Sequence, residues 1–451
     1  MRCRLTQIAL GPWLAGLLLT VQSGAAAGES LDDAWAAALA AHQQLAAATA
    51  ERDAARYGLA SARAERLPRL AVSGGYTQLD DAPRFAFGDA FVSPPIFSDD
   101  DFTMANAQVT LPLYTSGAVS QGIAAAQSRA DAVARRLDAV TQDIRLGTAE
   151  HYVSVLRAER ALDVARSNVR TLVAHTADAE NRYRLGAVPH NDFLAASVTL
   201  ADARQRELQA ENRLDLAHAA YNRYLGRELS APVALDDRLD VGALAPVGAN
   251  VDALVDTALV QRPELDGLAQ QAAALRAGAA AERAQSRPQL ALTGNYAMLE
   301  TDILDDDRFW MVGIGVQWNI FDSGRTRNRA AALAREAEAA LHRRNDLQTQ
   351  IALQVREAWL AREEALHRRG VADAAVEQAA ENLRVVRDRY RAGAATSTDV
   401  LDAEALRAQA LNNRDGARFD AALATLRLAR HRHTVMSRAG TTSFSFPDTV
   451  G

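Results

Sequence analysis

The 451-residue chain is 49% apolar and 24% charged, with 6% aromatics and only 12 prolines, a balance that suits long helices rather than a Gly/Pro-rich disordered chain. Its 50 basic and 56 acidic residues leave a net charge of −6, so no basic excess points to nucleic acid. The single cysteine, Cys3, excludes a disulfide framework, a cysteine-based zinc site and thiol catalysis in the folded chain.

Arg2 and Arg4 precede an apolar run from Ile8 to Val21, and Ala25-Ala26-Ala27 puts small residues where a signal peptidase cuts. Residues 1–27 therefore read as a secretory signal peptide. Cys3 lies before the apolar run and is not the acylated cysteine of a lipoprotein. Beyond residue 28 no apolar stretch reaches the ~20 residues of a membrane-spanning helix, which leaves a β-barrel as the compatible way into an outer membrane.

Next comes an alanine-rich helix, Ser30–Glu65, ended by Pro68. Leu70, Val72 and Tyr76 alternate as a strand, and so do Ala105, Ala107, Val109, Leu111 and Leu113. Asp80–Asp101, rich in Pro, Phe and Asp, reads as a long loop between them. Ser116-Gly117 closes the pair. From Ala118 to about Leu185 there is no proline, which predicts one helix of about 100 Å at 1.5 Å per residue. Such a helix exceeds any globular core and must coil against others. Its apolar stripe runs Val133, Leu137, Val140, Ile144, Val155, Leu162, Val169 and Leu172, with a stutter after Ile144. Gly186-Ala-Val-Pro-His-Asn breaks it, and a return helix follows near Asp192–Tyr224, with Asn191 a candidate cap.

The chain then repeats itself. Asn181-Arg-Tyr-Arg-Leu-Gly-Ala187 matches Asp388-Arg-Tyr-Arg-Ala-Gly-Ala394, an offset of 207 from Tyr183 to Tyr390, and Leu113-Tyr-Thr-Ser-Gly117 matches Ile320-Phe-Asp-Ser-Gly324 at that offset. Upstream the offset is 220, pairing Leu67-Pro-Arg-Leu-Ala71 with Arg287-Pro-Gln-Leu-Ala291, so the first copy carries 13 extra residues in its loop. These are tandem halves of one architecture. We divide the chain into a first repeat at 28–225, a linker at 226–249, a second repeat at 250–433 and an unassigned tail at 434–451. The second repeat reads as a helix over Asn250–Gln285, strands at Leu290–Met298 and Trp310–Ile320, a proline-free helix from Arg325 to about Ala392, and a return helix near Asp399–His431 capped by Ser397 or Thr398. Trp310, Val312, Ile314, Val316 and Trp318 make one face strongly apolar, with Gly313, Gly315 and Gln317 between them. That is the pattern of a strand between lipid and a watery lumen, with tryptophans suited to the interfacial girdles.

Four strands cannot close a barrel, whereas three copies supply twelve and leave a passage. With the paired RYRxGA motifs, the Ser-Gly strand ends, the duplicated layout and Asp399-Val-Leu-Asp402, the chain resembles the TolC-like outer membrane efflux family over nearly all of its mature length. The resemblance implies a mainly α fold with membrane β-strands: a homotrimer whose 12-stranded β-barrel is continued by a long periplasmic α-helical barrel. It implies the lipid of the outer membrane as surroundings, and a periplasmic adaptor and an inner-membrane pump as partners. It also implies that Asp399 and Asp402 form carboxylate rings at a closed periplasmic end, and that Tyr390 and Asp192 tie neighbouring hairpins shut. Gly186, Ala187, Gly393 and Ala394 become the hairpin tips that meet the adaptor. Ala395 stands where some members carry a gating arginine. Blander readings compete: Asp399 and Asp402 suit the dipole at a helix start, and Gly186 and Gly393 suit helix C-caps. The chain carries no catalytic, cofactor or metal-ligand motif; His431 and His433 alone do not make a zinc site. The expected function is a passive exit duct for efflux or type I secretion. The alternative is a trimeric structural or adhesive stalk.

Overall fold

The computed structural model describes residues 28–81, 101–239, 250–299 and 306–432. The expected signal peptide, most of the Asp80–Asp101 loop, the end of the linker with Pro246, His433 and the tail lie outside the described residues.

Each repeat runs helix, helix, strand, strand, long helix, return helix. The first comprises α1 (Leu31–Ala41), α2 (Gln43–Ala64), β1 (Arg69–Gln78), β2 (Asp101–Tyr114), α3 (Ala118–Arg184) and α4 (His190–Tyr224). The second comprises α5 (Val251–Gln261), α6 (Pro263–Ala284), β3 (Gln289–Leu299), β4 (Arg308–Gln317), α7 (Arg325–Arg391) and α8 (Ser397–Arg432). The expected single helices at 30–65 and 250–285 are each two. They break at His42 (ψ 120°) and Arg262 (ψ 118°), equivalent positions at the 220 offset. Pro263 forces the second break, because it disfavours a helical residue before it and sits well at N1 of α6. His42 makes the first break without a proline: its Nδ1 accepts from the Gln44 N–H at 3.2 Å and caps α2.

The long helices α3 and α7 hold 67 residues each and follow consecutive left-handed residues, Ser116 and Gly117 in one repeat and Ser323 and Gly324 in the other. These reversals turn each strand directly into its helix. Thr115 Oγ1 accepts from the Val119 N–H, and Asp322 in the same place accepts from the Gly324 and Thr326 N–H groups. The expected stripe of α3 is its packed face: Ile144, Val155, Leu162 and Leu172 are buried.

The sheet is antiparallel in the order β1-β2-β3-β4, with β1 and β4 as open edges. Register sorts its side chains into two faces, because directly paired residues point the same way. Leu70–Val109–Gly294–Val312 and Val72–Ala107–Tyr296–Trp310 are two rows of one face, which also carries Leu290, Leu292, Ile314 and Val316. The other face carries Ser73, Asn106, Gln108, Thr110, Thr293, Asn295 and Gln317. Val312, Ile314 and Val316 are about two-thirds exposed in the single chain, so among the described residues none covers the apolar face there. β4 ends at Gln317, so the expected strand is shorter than drawn, and Trp318 lies just past its end with Nε1 donating to the Ser286 carbonyl.

Below the sheet the helices pack both within and between the repeats. α6 fills the groove between α3 and α7, whereas α2 has α3 as its one substantial partner. Mid-length, Ala34, Ile144, Tyr152, Tyr221 and Phe419 form the main core. Here the linker docks: Glu29 bridges in parallel to Leu235, Arg227 grips the Glu29 carboxylate at 2.6 and 2.8 Å, and the Tyr152 hydroxyl lies within hydrogen-bond reach of the Glu29 and Asp236 carbonyls. On the second repeat, buried Arg430 of α8 binds Asp143 of α3 and Glu264 of α6, and Glu264 also binds Arg262. Among the described residues no helix is long and apolar enough to cross a membrane.

Candidate functional site

The end of the molecule away from the sheet is built from two hairpin tips of the same design. Leu185 ends α3, Gly186 adopts φ 73°, the Gly186 N–H bonds to the Tyr183 carbonyl at 2.9 Å, and the Ala187 N–H reaches back to the Arg182 carbonyl at 2.8 Å. Ala392, Gly393 (φ 74°), Tyr390, Ala394 and Arg389 repeat this Schellman cap at 3.1 and 2.8 Å. A Cβ on either glycine would meet open space, so the backbone angle and not a close approach requires glycine there.

The return helices start differently. Pro189 precedes α4 without a side-chain cap, so Asn191 does not cap it. Thr396, not Ser397 or Thr398, caps α8: its Oγ1 accepts from the Asp399 N–H at 3.2 Å, while Asp399 accepts from the Thr396 N–H at 2.7 Å and hydroxyl at 2.8 Å. This capping box holds the Asp399 carboxyl below its ordinary value, the Thr396 backbone bond contributing most. Asp402 stands exposed one turn further along α8.

Tyr390 is buried, 4% exposed, against α3 of the other repeat. The Arg182 guanidinium lies 4.7 Å from its ring centre and donates to its carbonyl at 3.3 Å. His175 packs on the same ring at 5.4 Å, and its Nε2 lies 2.9 Å from the Oγ of buried Ser397. No hydrogen bond joins the Tyr390 hydroxyl to Asp192 within the protomer, although the Asp192 charge helps to raise the phenol above its ordinary value, after burial and against Arg182. The described fold thus brings Tyr390 to Arg182, His175 and Ser397; the sequence marks Ser397 only as a candidate cap and does not mark His175. The doubled RYR motif held the one signal for Arg182, as the partner of Arg389. Nothing in the sequence alone marks the contact of His175 with Ser397, because it joins different repeats. A cleft of about 500 Å³ opens beside them, lined by Arg170, Asp178, Arg387 and Tyr390 among others.

The family described as outer membrane efflux protein matches residues 35–227 and again 254–431, one match for each repeat. The chain belongs to the outer membrane efflux protein family. It is 24% identical over 438 residues to the alkaline protease secretion protein AprF of Pseudomonas aeruginosa, covering 94% of this chain and 88% of AprF. It is also 24% identical over 431 residues to the outer membrane protein TolC of Vibrio cholerae, covering 92% of this chain and 93% of TolC. The CmeC outer membrane channel of Campylobacter jejuni superposes with a TM-score of 0.77 at 16% identity, over 89% of this chain and 85% of CmeC. As a member of this outer membrane efflux family, the chain is a TolC-like channel and not an enzyme; it resides in the outer membrane and extends into the periplasm.

Proposed function

We propose that three copies assemble into one duct, and that it passively conducts substrates handed over by an inner-membrane pump and a periplasmic adaptor. The carrying observation is the sheet, with two open edges, one apolar face and one polar face. Unpaired edges demand partners, and apolar side chains two-thirds exposed demand lipid. Pairing β4 of one copy with β1 of the next meets the first demand, and turning Trp310, Val312, Ile314, Val316 and Trp318 outward meets the second. A stalk has no use for the polar face.

At the periplasmic end Asp399 and Asp402, with their threefold copies, supply carboxylates around the axis, which favours cations. The engagement of Asp399 in its own cap leaves Asp402 as the freer charge. Tyr390 acts as a restraint through Arg182, with Asp192 nearby, and the exposed tips at Gly186, Ala187, Gly393 and Ala394 offer the surface for an adaptor. Planar-bilayer recording on the purified, detergent-extracted protein tests the reading. Discrete conductance steps support a duct, and a non-conducting trimer contradicts it.

A further inference from the structure

The two tips share one backbone but differ in burial. Tyr390 is 4% exposed and its counterpart Tyr183 40%; Leu401 is 9% exposed and its counterpart Leu194 46%. Ser397 is buried and its counterpart His190 is exposed. The second tip is covered by α3 of the first repeat, through Arg182 on Tyr390 and His175 on Ser397.

Moving that covering helix forward by one repeat turns Arg182 into Arg389 and His175 into Asn382, both exposed on α7. The surface they would cover is the first tip, where Tyr390 becomes Tyr183 and Ser397 becomes His190. Those two rings lie 4.6 Å apart, and Phe193 stacks on Tyr183. The polar pair changes identity in a complementary way. Histidine on α3 facing serine becomes asparagine on α7 facing histidine, so a hydrogen bond survives the exchange. The same shift predicts unpartnered apolar residues on both helices, and Leu353, Leu360 and Val371 of α7 and Leu194, Val198 and Leu208 of α4 are exposed. Arg389 meanwhile donates to the Ala394 carbonyl at 3.2 Å on its own tip.

We propose that α7 of each protomer latches the first hairpin tip of its neighbour, with Arg389 over the ring of the partner's Tyr183 and Asn382 hydrogen-bonded to the partner's His190. This rests on the trimeric duct reading and adds to it a specific seam. The periplasmic end then carries six latches, three within protomers and three between them.

The test uses the full chain with Cys3→Ser, so that introduced cysteines are the sole thiols. Asn382→Cys with His190→Cys, treated with a short bis-maleimide that forms a thioether at each cysteine, should give dimers and trimers on a denaturing gel. His175→Cys with Ser397→Cys should give cross-linked monomer alone. Monomer alone from the first pair, in a protein that is trimeric by native mass spectrometry, overturns the latch while leaving the duct intact. A unsubstituted protein that is not trimeric overturns both. Independently, Arg389→Ala and Tyr183→Leu should each raise the resting open fraction by at least roughly two- to fivefold, the weight of one exposed cation–π contact, and by more where the three contacts of the trimer open together. The double variant should rise no further than either single one, and additive effects would refute the contact.

Discussion

His175 carries a charge-dependent contact at the boundary between the repeats. Burial pushes its imidazole below the ordinary value; Asp178 and Asp192 oppose this, and Arg387 and Arg182 reinforce it. The neutral ring is therefore the folded form, and the unfolded chain takes up a proton first. The contribution of this contact is intact above about pH 6.5 and is lost as pH falls below that value. Hydrogen-exchange protection at the Thr396–Asp399 amides, taken relative to the intrinsic rate at each pH, should fall on acidification through that window, and His175→Gln should remove most of that fall. An unchanged profile in the variant would clear His175 of the role. The two aspartates proposed to ring the periplasmic end should also separate. Asp399→Ala loses half of a capping box and should lower the melting temperature. Asp402→Ala should leave the melting temperature in place and weaken cation selectivity, read as a shift in reversal potential under a potassium gradient. Equal selectivity in wild type and Asp402→Ala would remove the ring reading. Arg430, 8% exposed between Asp143 and Glu264, belongs to the same scale. Arg430→Met should destabilise by about 2–4 kcal/mol in denaturant titration, because Glu264 keeps a partly buried charge with one cation fewer.

Element by element, the long helices were legible because proline-free runs ended by glycine leave few alternatives. α3 and α7 each begin at the residue after a Ser-Gly pair and end one residue before the expected bounds. The break between α1 and α2 was not legible. Its pivot, His42, is held by one side-chain bond to the next turn, and only the repeat, through Arg262-Pro263, places a break there. The strands were legible as alternation, but their register was not, since a single strand does not name its partner. Register now supports a stronger expectation than alternation did. The Ser116 hydroxyl binds the Pro288 carbonyl at 2.5 Å where the first repeat meets the second. The same relation carried forward pairs Ser323 with Pro68 of a neighbouring copy, and puts Ile314 opposite that copy's Tyr76. A cysteine pair at 314 and 76 should therefore cross-link between protomers, whereas a pair at 314 and 75 should not. On the face proposed to meet lipid, Val312→Asp with Ile314→Asp should cost roughly 1–4 kcal/mol per residue, depending on depth. Membrane-inserted trimer should fall accordingly in a heat-modifiability gel, and undiminished insertion would contradict the face assignment.

For the whole molecule, the repeat explains why a single chain looks unfinished. Its interior contacts satisfy one junction between repeats, and the open β-edges, the lone-partnered α2 and the exposed stripes of α4 and α7 await the same junction with another copy. The candidate gate was only partly legible for this reason: Asp399 and Tyr390 stood out in the repeat, but Arg182 and His175, which pack on Tyr390, come from the other half. Orientation follows from the same plan. An epitope inserted near Pro94 should be reached by antibody on intact cells, and one near Gly186 only after the outer membrane is breached. The most direct test is electron cryomicroscopy of the purified assembly in lipid nanodiscs. The account predicts three chains, with β4 of each paired to β1 of the next and a continuous passage running from the barrel into the helical tube. A different copy number, an unclosed sheet, or a barrel interior filled by side chains would contradict it.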